Sequence, residues 1–159
     1  MQSHASAPFL IAEDNPDDMF QFTRLLKSTG ATNSLHHALT SKEAIELLER
    51  VTGRGALVAC PAAAFVDVRL NGGDGFDVLA WIRKHRAFDA LPVIMLADTD
   101  DPREIARSTK LGAQCHLIKY PSKAIFARIL GEVPRFQEGR IARCFDLPNN
   151  LIRPSHERR

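Results

Sequence analysis

The segment AAAFVDVRLNGGDGF, residues 62–76, contains the pattern that decides the fold. A short apolar run ends at an acidic residue, Asp67, and the glycine-rich stretch 71–75 follows it. An apolar run of this length, bounded by turn residues, indicates a buried strand. Helical spacing of apolar residues resumes at Phe76, so the segment predicts a strand, a turn and a helix in that order.

The same alternation of strand and helix continues on both sides of this segment. Short runs rich in apolar residues at 9–12, 93–96 and 115–118 predict three more strands, and the segment 34–39 is interpreted as the second strand of the chain. Helical patterns follow the strands, and four of them begin after capping residues, namely Asn15, Thr40, Asp101 and Ser122. Parallel strands need crossover helices, so five strands alternating with five helices predict an α/β fold with a doubly wound sheet and helices on both faces. We expect the last helix to end near Pro134.

Length and composition fit a single globular domain: the chain has 159 residues, of which 45% are hydrophobic and 25% charged. Its longest mostly apolar run, 56–66, contains Pro61 and is much shorter than the roughly 20 residues of a membrane span. Residues 1–8 contain no Lys or Arg, unlike a signal peptide. We therefore expect a cytoplasmic protein without a membrane partner.

The net charge of +2 is unevenly distributed, because residues 135–159 hold six Arg against three acidic residues. A basic tail can contact nucleic acid, but these arginines are spread out and form no polybasic block. A solvated tail, or one that docks on its own domain, is the favoured interpretation.

Acidic and basic residues stand where several strands end. Glu13 and Asp14 follow the first strand, Asp67 ends the third, and Lys119 follows the fifth. The carboxyl ends of parallel strands meet at one edge of the sheet, where such folds place their functional residues. Three close carboxylates repel one another unless a cation holds them, which points to a hard divalent ion such as Mg²⁺.

Two further acidic residues, Asp17 and Asp18, lie in the first turn of the first helix. Acidic side chains at this position offset the positive end of the helix dipole by about 0.3 to 1 kcal/mol. We therefore interpret them as helix-stabilising residues and not as ligands.

These residues resemble the receiver domain of two-component response regulators over about residues 8–133. The resemblance rests on Glu13-Asp14, the segment 65–76 around Asp67, the stretches 92–96 and 111–113, and Lys119 with Pro121 two residues later. It implies a flavodoxin-like strand order, 2-1-3-4-5. The run 13–18, the long connection 52–61 and the lack of an output domain resemble, more narrowly, the stand-alone regulators associated with bacterial phytochromes.

The resemblance also implies a domain organisation and partners. Residues 1–7 would form an N-terminal extension, 8–133 the receiver domain, and 134–159 a basic tail without an output domain. A sensor histidine kinase or a phosphotransfer protein would be the phosphodonor, and the downstream protein target stays unnamed. A homodimer through helix four, strand five, helix five and the tail is a further expectation.

The chemistry that the resemblance implies is phosphoryl transfer. Asp67 would accept the phosphoryl group from a phosphohistidine or a small acyl phosphate, and Lys119 would contact a phosphoryl oxygen. Asp14 and Asp67, with Glu13 acting through water and the backbone carbonyl of Arg69, would hold Mg²⁺. At most, the chain would catalyse its own phosphorylation and dephosphorylation.

Two positions depart from the family pattern. Ala97 stands at the end of strand four, where the family has Thr or Ser, and His116 stands where it has an aromatic residue. Without that hydroxyl, we expect phosphorylation to proceed without the usual conformational switch. Asp98 adds negative charge beside the site, and Arg69 is a candidate for the phosphoryl contact that Ala97 lacks.

Other functions stay open or are disfavoured. A phosphorylation-independent pseudo-receiver, acting as a protein-protein interaction module, is the main alternative, and Ala97, Asp98 and His116 favour it. A flavodoxin is disfavoured because the acidic turn after strand one would repel a flavin phosphate. A haloacid-type phosphohydrolase would need an Asp-x-Asp after that strand. Direct DNA binding is not expected, since no helix-turn-helix follows the receiver.

Overall fold

The computed structural model describes residues 6–53 and 58–138 and contains one five-stranded sheet, a small two-stranded ribbon and five α-helices. In chain order the strands are β1 Phe9–Ala12, β2 Leu35–Ala38, β3 Ala63–Asp67, β4 Arg69–Leu70, β5 Gly73–Asp74, β6 Val93–Ala97 and β7 Cys115–Ile118. The helices are α1 Pro16–Ser28, α2 Ser41–Thr52, α3 Gly75–Lys84, α4 Pro102–Leu111 and α5 Lys123–Gln137, and a 3₁₀ turn spans Arg86–Phe88.

The five-stranded sheet is entirely parallel and has the order β2-β1-β3-β6-β7. Counting only these five strands, the order is 2-1-3-4-5, which confirms the doubly wound, flavodoxin-like fold. The connection from β1 leads to β2 at one edge of the sheet, whereas the connections after β3 lead toward β7 at the other edge. The strand order therefore reverses between β1 and β3. Functional residues of such sheets gather beyond the carboxyl ends of the strands at this point, and here Glu13 and Asp67 lie there.

Helices cover both faces of the sheet. Helices α1 and α5 pack on one face over an apolar layer that contains Phe22, Phe65 and Phe126, whose ring centroids are 5.0 to 5.8 Å apart. Helices α2, α3 and α4 cover the other face, where Leu48 and Leu79 belong to the second buried layer. Alternate residues of each strand point to opposite layers, so both faces of the central strands are apolar.

Local signals set the helix ends as expected. The Asn15 side chain accepts hydrogen bonds from the backbone N–H groups of Asp17 and Asp18, and Ser122 caps α5 in the same way through Ile125. Helix α4 ends at Gly112, whose φ of 95° lies in the left-handed region that glycine adopts readily. Among the described residues, no helix is both long enough and apolar enough to cross a bilayer.

Two features differ from the expected secondary structure. The turn after Asp67 contains the antiparallel pair β4 and β5, which we call the hairpin. Helix α5 continues through Pro134 to Gln137, because Phe136 is buried and the Gln137 side chain donates a hydrogen bond to the Ala62 carbonyl. These contacts outweigh the backbone hydrogen bond that proline cannot donate. Tail residues 139–159 lie outside the described residues.

Candidate functional site

The carboxyl ends of β1, β3 and β7 bring three of the predicted side chains together. Lys119 Nζ lies 2.6 Å from Asp67 Oδ2 and 3.0 Å from Glu13 Oε2. Asp67 is the last residue of β3, whereas Glu13 and Lys119 directly follow β1 and β7. The parallel register of these strands therefore produces the group without any long connecting loop.

The ammonium of Lys119 is the positive centre of this group, and its side chain is only 4% exposed. Burial alone would lower the pKa of Lys119. Hydrogen bonds to Asp67, Asp18 and Glu13 outweigh it, and the net effect raises the pKa above its ordinary value. Lys119 is consequently charged throughout the physiological range.

Glu13 is the most deeply buried acid of the site, at 1% exposure. Its Oε1 accepts a hydrogen bond from the backbone of Asn15 at 3.1 Å. Its Oε2 lies 3.0 Å from the Lys119 ammonium and pairs with it. Burial raises the pKa of Glu13 to about 8, and the Asp67 carboxyl adds to the rise. Additional positive charge would favour the ionised form of this residue.

Asp67 is held at both carboxylate oxygens. Oδ2 accepts from Lys119, and Oδ1 accepts from the backbone N–H of Arg69 at 2.9 Å. The hairpin closes tightly behind it, because the N–H of Gly75 donates to the Val68 carbonyl at 2.9 Å. A Cβ atom at position 75 would collide with the Asp67 carbonyl oxygen, so this close approach requires glycine.

Asp14 contacts the hairpin, whereas Asp18, which the sequence analysis interprets as a helix-stabilising residue only, contacts the buried lysine. Asp14 Oδ2 accepts a hydrogen bond from the backbone N–H of Asn71 at 3.0 Å, at the hairpin turn. Asp18 instead joins the buried group: its Oδ2 lies 2.9 Å from Lys119 Nζ. The carboxylates of Glu13, Asp18 and Asp67 each offer an oxygen within 4.8 Å of the others.

Sequence reasoning missed Asp18 because it considered only the helix dipole. With Asn15 as the N-cap, Asp18 is the third residue of α1. Side chains at this position reach back toward the N-cap, as in a capping box. Since the N-cap follows the end of β1 by only three residues, this geometry was the available signal that Asp18 faces the strand ends.

The predicted phosphoryl neighbours lie at the rim. The Arg69 side chain is 76% exposed, and its guanidinium lies 3.7 Å from Glu104 on α4. Asp98 is 64% exposed, with Oδ1 at 3.7 Å from Lys119 Nζ. The role of the Arg69 carbonyl as a metal ligand stays a prediction.

The two switch positions are both buried. Ala97 ends β6, and its carbonyl accepts from the backbone N–H of Lys119 at 2.8 Å. The ring of His116 shares a 2.7 Å hydrogen bond between Nδ1 and the hydroxyl of Ser108 on α4, while Nε2 has no hydrogen-bond partner among the described residues. Burial lowers the pKa of His116 to about 4, so the ring is neutral at physiological pH.

The donor set of this site fits a divalent cation. Carboxylate oxygens are the hard ligands that Mg²⁺ prefers, and three carboxylates converge here. Glu13 Oε2 is buried and lies 3.0 Å from Lys119 Nζ, so one ammonium is shared by several acidic side chains. The fit rests on these oxygens and on the excess of negative over positive charge around Lys119.

The family to which the chain belongs follows from its sequence match. A family model described as the response regulator receiver domain matches residues 9–129. The chain therefore belongs to the response regulator receiver domains of two-component signalling. Receiver domains generally bind Mg²⁺ and interact with histidine kinases or phosphotransfer proteins.

Individual proteins support this assignment. The chain is 26% identical over 137 residues to the probable methanogenesis regulatory protein FilR2 of Methanothrix harundinacea, a match that covers 85% of this chain and 87% of that protein. The bacteriophytochrome response regulator AtBRR is 26% identical and superimposes with a TM-score of 0.69, covering 80% of this chain and 92% of AtBRR. RtBRR, another bacteriophytochrome response regulator, has a similar fold, with 22% identity and a TM-score of 0.70. The match covers 80% of this chain and 77% of RtBRR.

Proposed function

We propose that this receiver domain accepts a phosphoryl group on Asp67. The observation that supports this assignment most strongly is the 2.6 Å contact between Asp67 Oδ2 and the buried ammonium of Lys119. A carboxylate in this position is paired with a cation that can follow the incoming phosphoryl oxygens. The neighbouring acids explain why the chemistry also needs a divalent ion.

In the proposed reaction, a carboxylate oxygen of Asp67 forms a bond to phosphorus. The P–N bond of a phosphohistidine, or the P–O bond of a small acyl phosphate, breaks, and its electron pair leaves with the imidazole nitrogen or the acyl oxygen. Lys119 donates hydrogen bonds to a phosphoryl oxygen, and its fixed charge offsets the charge that arrives. Any catalysis by the chain would be limited to its own phosphorylation and dephosphorylation.

The metal ligands we propose are Asp67, Asp14 and Glu13, the last through water, together with the backbone carbonyl of Arg69. Mg²⁺, when bound, neutralises negative charge on the transferring oxygens. The convergence of the Glu13, Asp18 and Asp67 carboxylates supports a cation requirement at this place. Asp18 lies within the same carboxylate group and contributes to its negative charge.

We further propose that phosphorylation acts here without the usual switch. Ala97 offers no hydroxyl to a phosphoryl oxygen, and His116 is held by Ser108 inside the protein. Arg69, two residues beyond Asp67, is the residue we assign to the missing phosphoryl contact, for which it would leave Glu104. The ion pair it would give up is exposed and long, so its loss costs about 1 kcal/mol at most.

The proposed setting is a phosphorelay in the cytoplasm, with a sensor histidine kinase or a phosphotransfer protein as donor. The receiver would act on a downstream protein. The face formed by α4, β7 and α5 is the proposed contact surface of a homodimer.

Incubation with Mg²⁺ and either acetyl phosphate or phosphoramidate tests the phosphoacceptor. We expect the intact mass to increase by one phosphoryl group in the wild type and not in Asp67→Asn. Asp77→Asn is the matched control, because Asp77 is an exposed aspartate on α3 and the substitution removes the same charge. Uptake that persists in Asp67→Asn would contradict the assignment. A folded wild type that takes up no phosphoryl group would instead favour the pseudo-receiver.

A further inference from the structure

Asp18 contacts two consecutive residues of the loop that follows β7. Its Oδ2 accepts a hydrogen bond from Lys119 Nζ at 2.9 Å, and its backbone carbonyl accepts one from the Tyr120 hydroxyl at 2.7 Å. The first turn of α1 is therefore joined to the loop that carries Lys119 by one charged and one neutral hydrogen bond. An acidic residue that only stabilised the helix dipole would need neither of these contacts.

Three carboxylates on different elements surround the ammonium. A lysine side chain is a flexible four-carbon stem with three N–H donors, so its covalent geometry does not fix the position of Nζ. Lys119 donates to Asp67 on β3 and to Asp18 on α1, and Glu13 Oε2, just after β1, lies 3.0 Å from Nζ. Removing the Asp18 carboxylate would leave the ammonium free to shift toward Asp67 and Glu13.

The contact with Asp18 becomes more important once Asp67 reacts. The carboxylate of Asp67 loses its own charge when it forms an acyl phosphate, and its oxygen is then bonded to phosphorus. Asp18 keeps its full charge through the reaction and still attracts the ammonium. It can therefore hold Lys119 beside the phosphoryl group before, during and after transfer.

We propose that Asp18 is a positioning residue that holds the Lys119 ammonium at Asp67, an inference that rests on the proposed phosphoacceptor function. Asp17 provides the comparison that separates this role from a general electrostatic one. It is the preceding residue of the same helical turn and is exposed. Asp17→Asn and Asp18→Asn therefore remove the same charge from the same helix terminus.

Rates of Asp67 phosphorylation by phosphoramidate and Mg²⁺ form the first part of the test. We expect Asp18→Asn to slow the reaction about tenfold, since a hydrogen bond from an ammonium to a carboxylate is stronger than one to a neutral amide. We expect Asp17→Asn to stay within about twofold of the wild type, and Asp18→Glu, which keeps the charge, to recover much of the lost rate. Equal slowing in Asp17→Asn and Asp18→Asn would overturn the proposal.

Proton exchange at Lys119 Nζ, followed by NMR without metal or phosphodonor, forms the second part. Because the ammonium is buried and hydrogen-bonded, we expect slow exchange in the wild type and in Asp17→Asn, and faster exchange in folded Asp18→Asn. Unchanged exchange would overturn the proposal whether or not the wild type accepts a phosphoryl group. A wild type that is never phosphorylated would contradict the proposed function alone.

Tyr120→Phe distinguishes positioning of the ammonium from simple anchoring of α1. This variant removes the hydroxyl that bonds to the Asp18 backbone and leaves the Asp18 carboxylate in place. We expect it to retain slow exchange at Lys119 Nζ and near wild-type phosphorylation. If Tyr120→Phe reproduced both effects of Asp18→Asn, anchoring would be sufficient and Asp18 would not act on Lys119 through its charge.

Discussion

Mild acidification should destabilise this domain through His116. The ring is 2% exposed, shares its Nδ1 hydrogen bond with Ser108, and has a pKa lowered to about 4 by burial. An unfolded histidine titrates near pH 6.5. Between these two values the unfolded state binds more protons than the folded state, so stability is complete above pH 6.5 and falls as the pH decreases toward 4.

The size of this effect follows from the difference between the two pKa values. Linkage gives a loss of about 2 kcal/mol between pH 8 and pH 5, which grows to about 3 kcal/mol at pH 4. A loss of this size is a substantial part of the 5 to 15 kcal/mol that stabilises a typical domain. It should therefore be visible in urea unfolding curves measured across this pH range.

The matched variant is His116→Phe, which replaces the imidazole with a ring that does not titrate. It leaves the buried hydroxyl of Ser108 without its partner, and that cost does not depend on pH. Glu13 contributes with the opposite sign, because its raised pKa makes the folded state bind more protons, but the contribution is common to both proteins. The relevant quantity is therefore the difference between wild type and variant at each pH. A difference that stays constant from pH 8 to pH 5 would refute the reasoning.

Two further substitutions test the backbone behind the acceptor and the switch position. Gly75→Ala should lower the free energy of unfolding, measured in urea, by about 2 to 3 kcal/mol, because its Cβ would collide with the Asp67 carbonyl. In the control Gly131→Ala on α5, the new Cβ meets no atom within 4 Å, and the substitution should stabilise the domain by about 0.5 to 1 kcal/mol. Comparable effects at the two glycines would contradict the close approach. Ala97→Thr supplies a hydroxyl next to Lys119 and should tighten binding of the phosphoryl analogue beryllofluoride about tenfold, as measured by fluorescence titration. No change would show that the hydroxyl does not reach the bound group.

Most of the fold could be predicted because its signals are local. The capping side chain of Asn15, the proline that opens α4 and the glycine at 112 act within a few residues of where they stand. Runs rich in apolar residues mark β1, β3, β6 and β7 for the same reason, since these strands are buried along their whole length. Strand order came from the resemblance, because periodicity alone does not say which strands are neighbours.

The two features that the sequence did not predict were missed for different reasons. The hairpin has strands of two residues each, too short for any alternation of apolar and polar residues to show. The last turn of α5 forms because Phe136 finds a buried position and Gln137 reaches Ala62, 75 residues earlier in the chain. Local propensity argued for an end at Pro134, and tertiary packing overrode it.

The site shows the same division between local and distant information. Glu13, Asp67 and Lys119 could be brought together from sequence, because each directly ends or follows a parallel strand. Whether the side chain of Asp14 or of Asp18 contacts Lys119 depends on the direction of the side chains in the turn after β1. Strand periodicity does not specify that direction. Asp14 turns to the backbone of Asn71, and Asp18 reaches back from the first turn of α1 to Lys119.

The contacts between the site and α4 determine how a phosphoryl group can influence the rest of the domain. His116 joins β7 to α4 through Ser108, but the ring is neutral and buried, so added negative charge at Asp67 does not change its partner. The hairpin provides contacts that do respond to charge: Arg69 and Asp74 each lie 3.7 Å from an oppositely charged residue of α4. Such exposed pairs are weak and exchange partners at little cost. If phosphorylation without the usual switch moves α4 at all, these hairpin pairs are where the movement should begin.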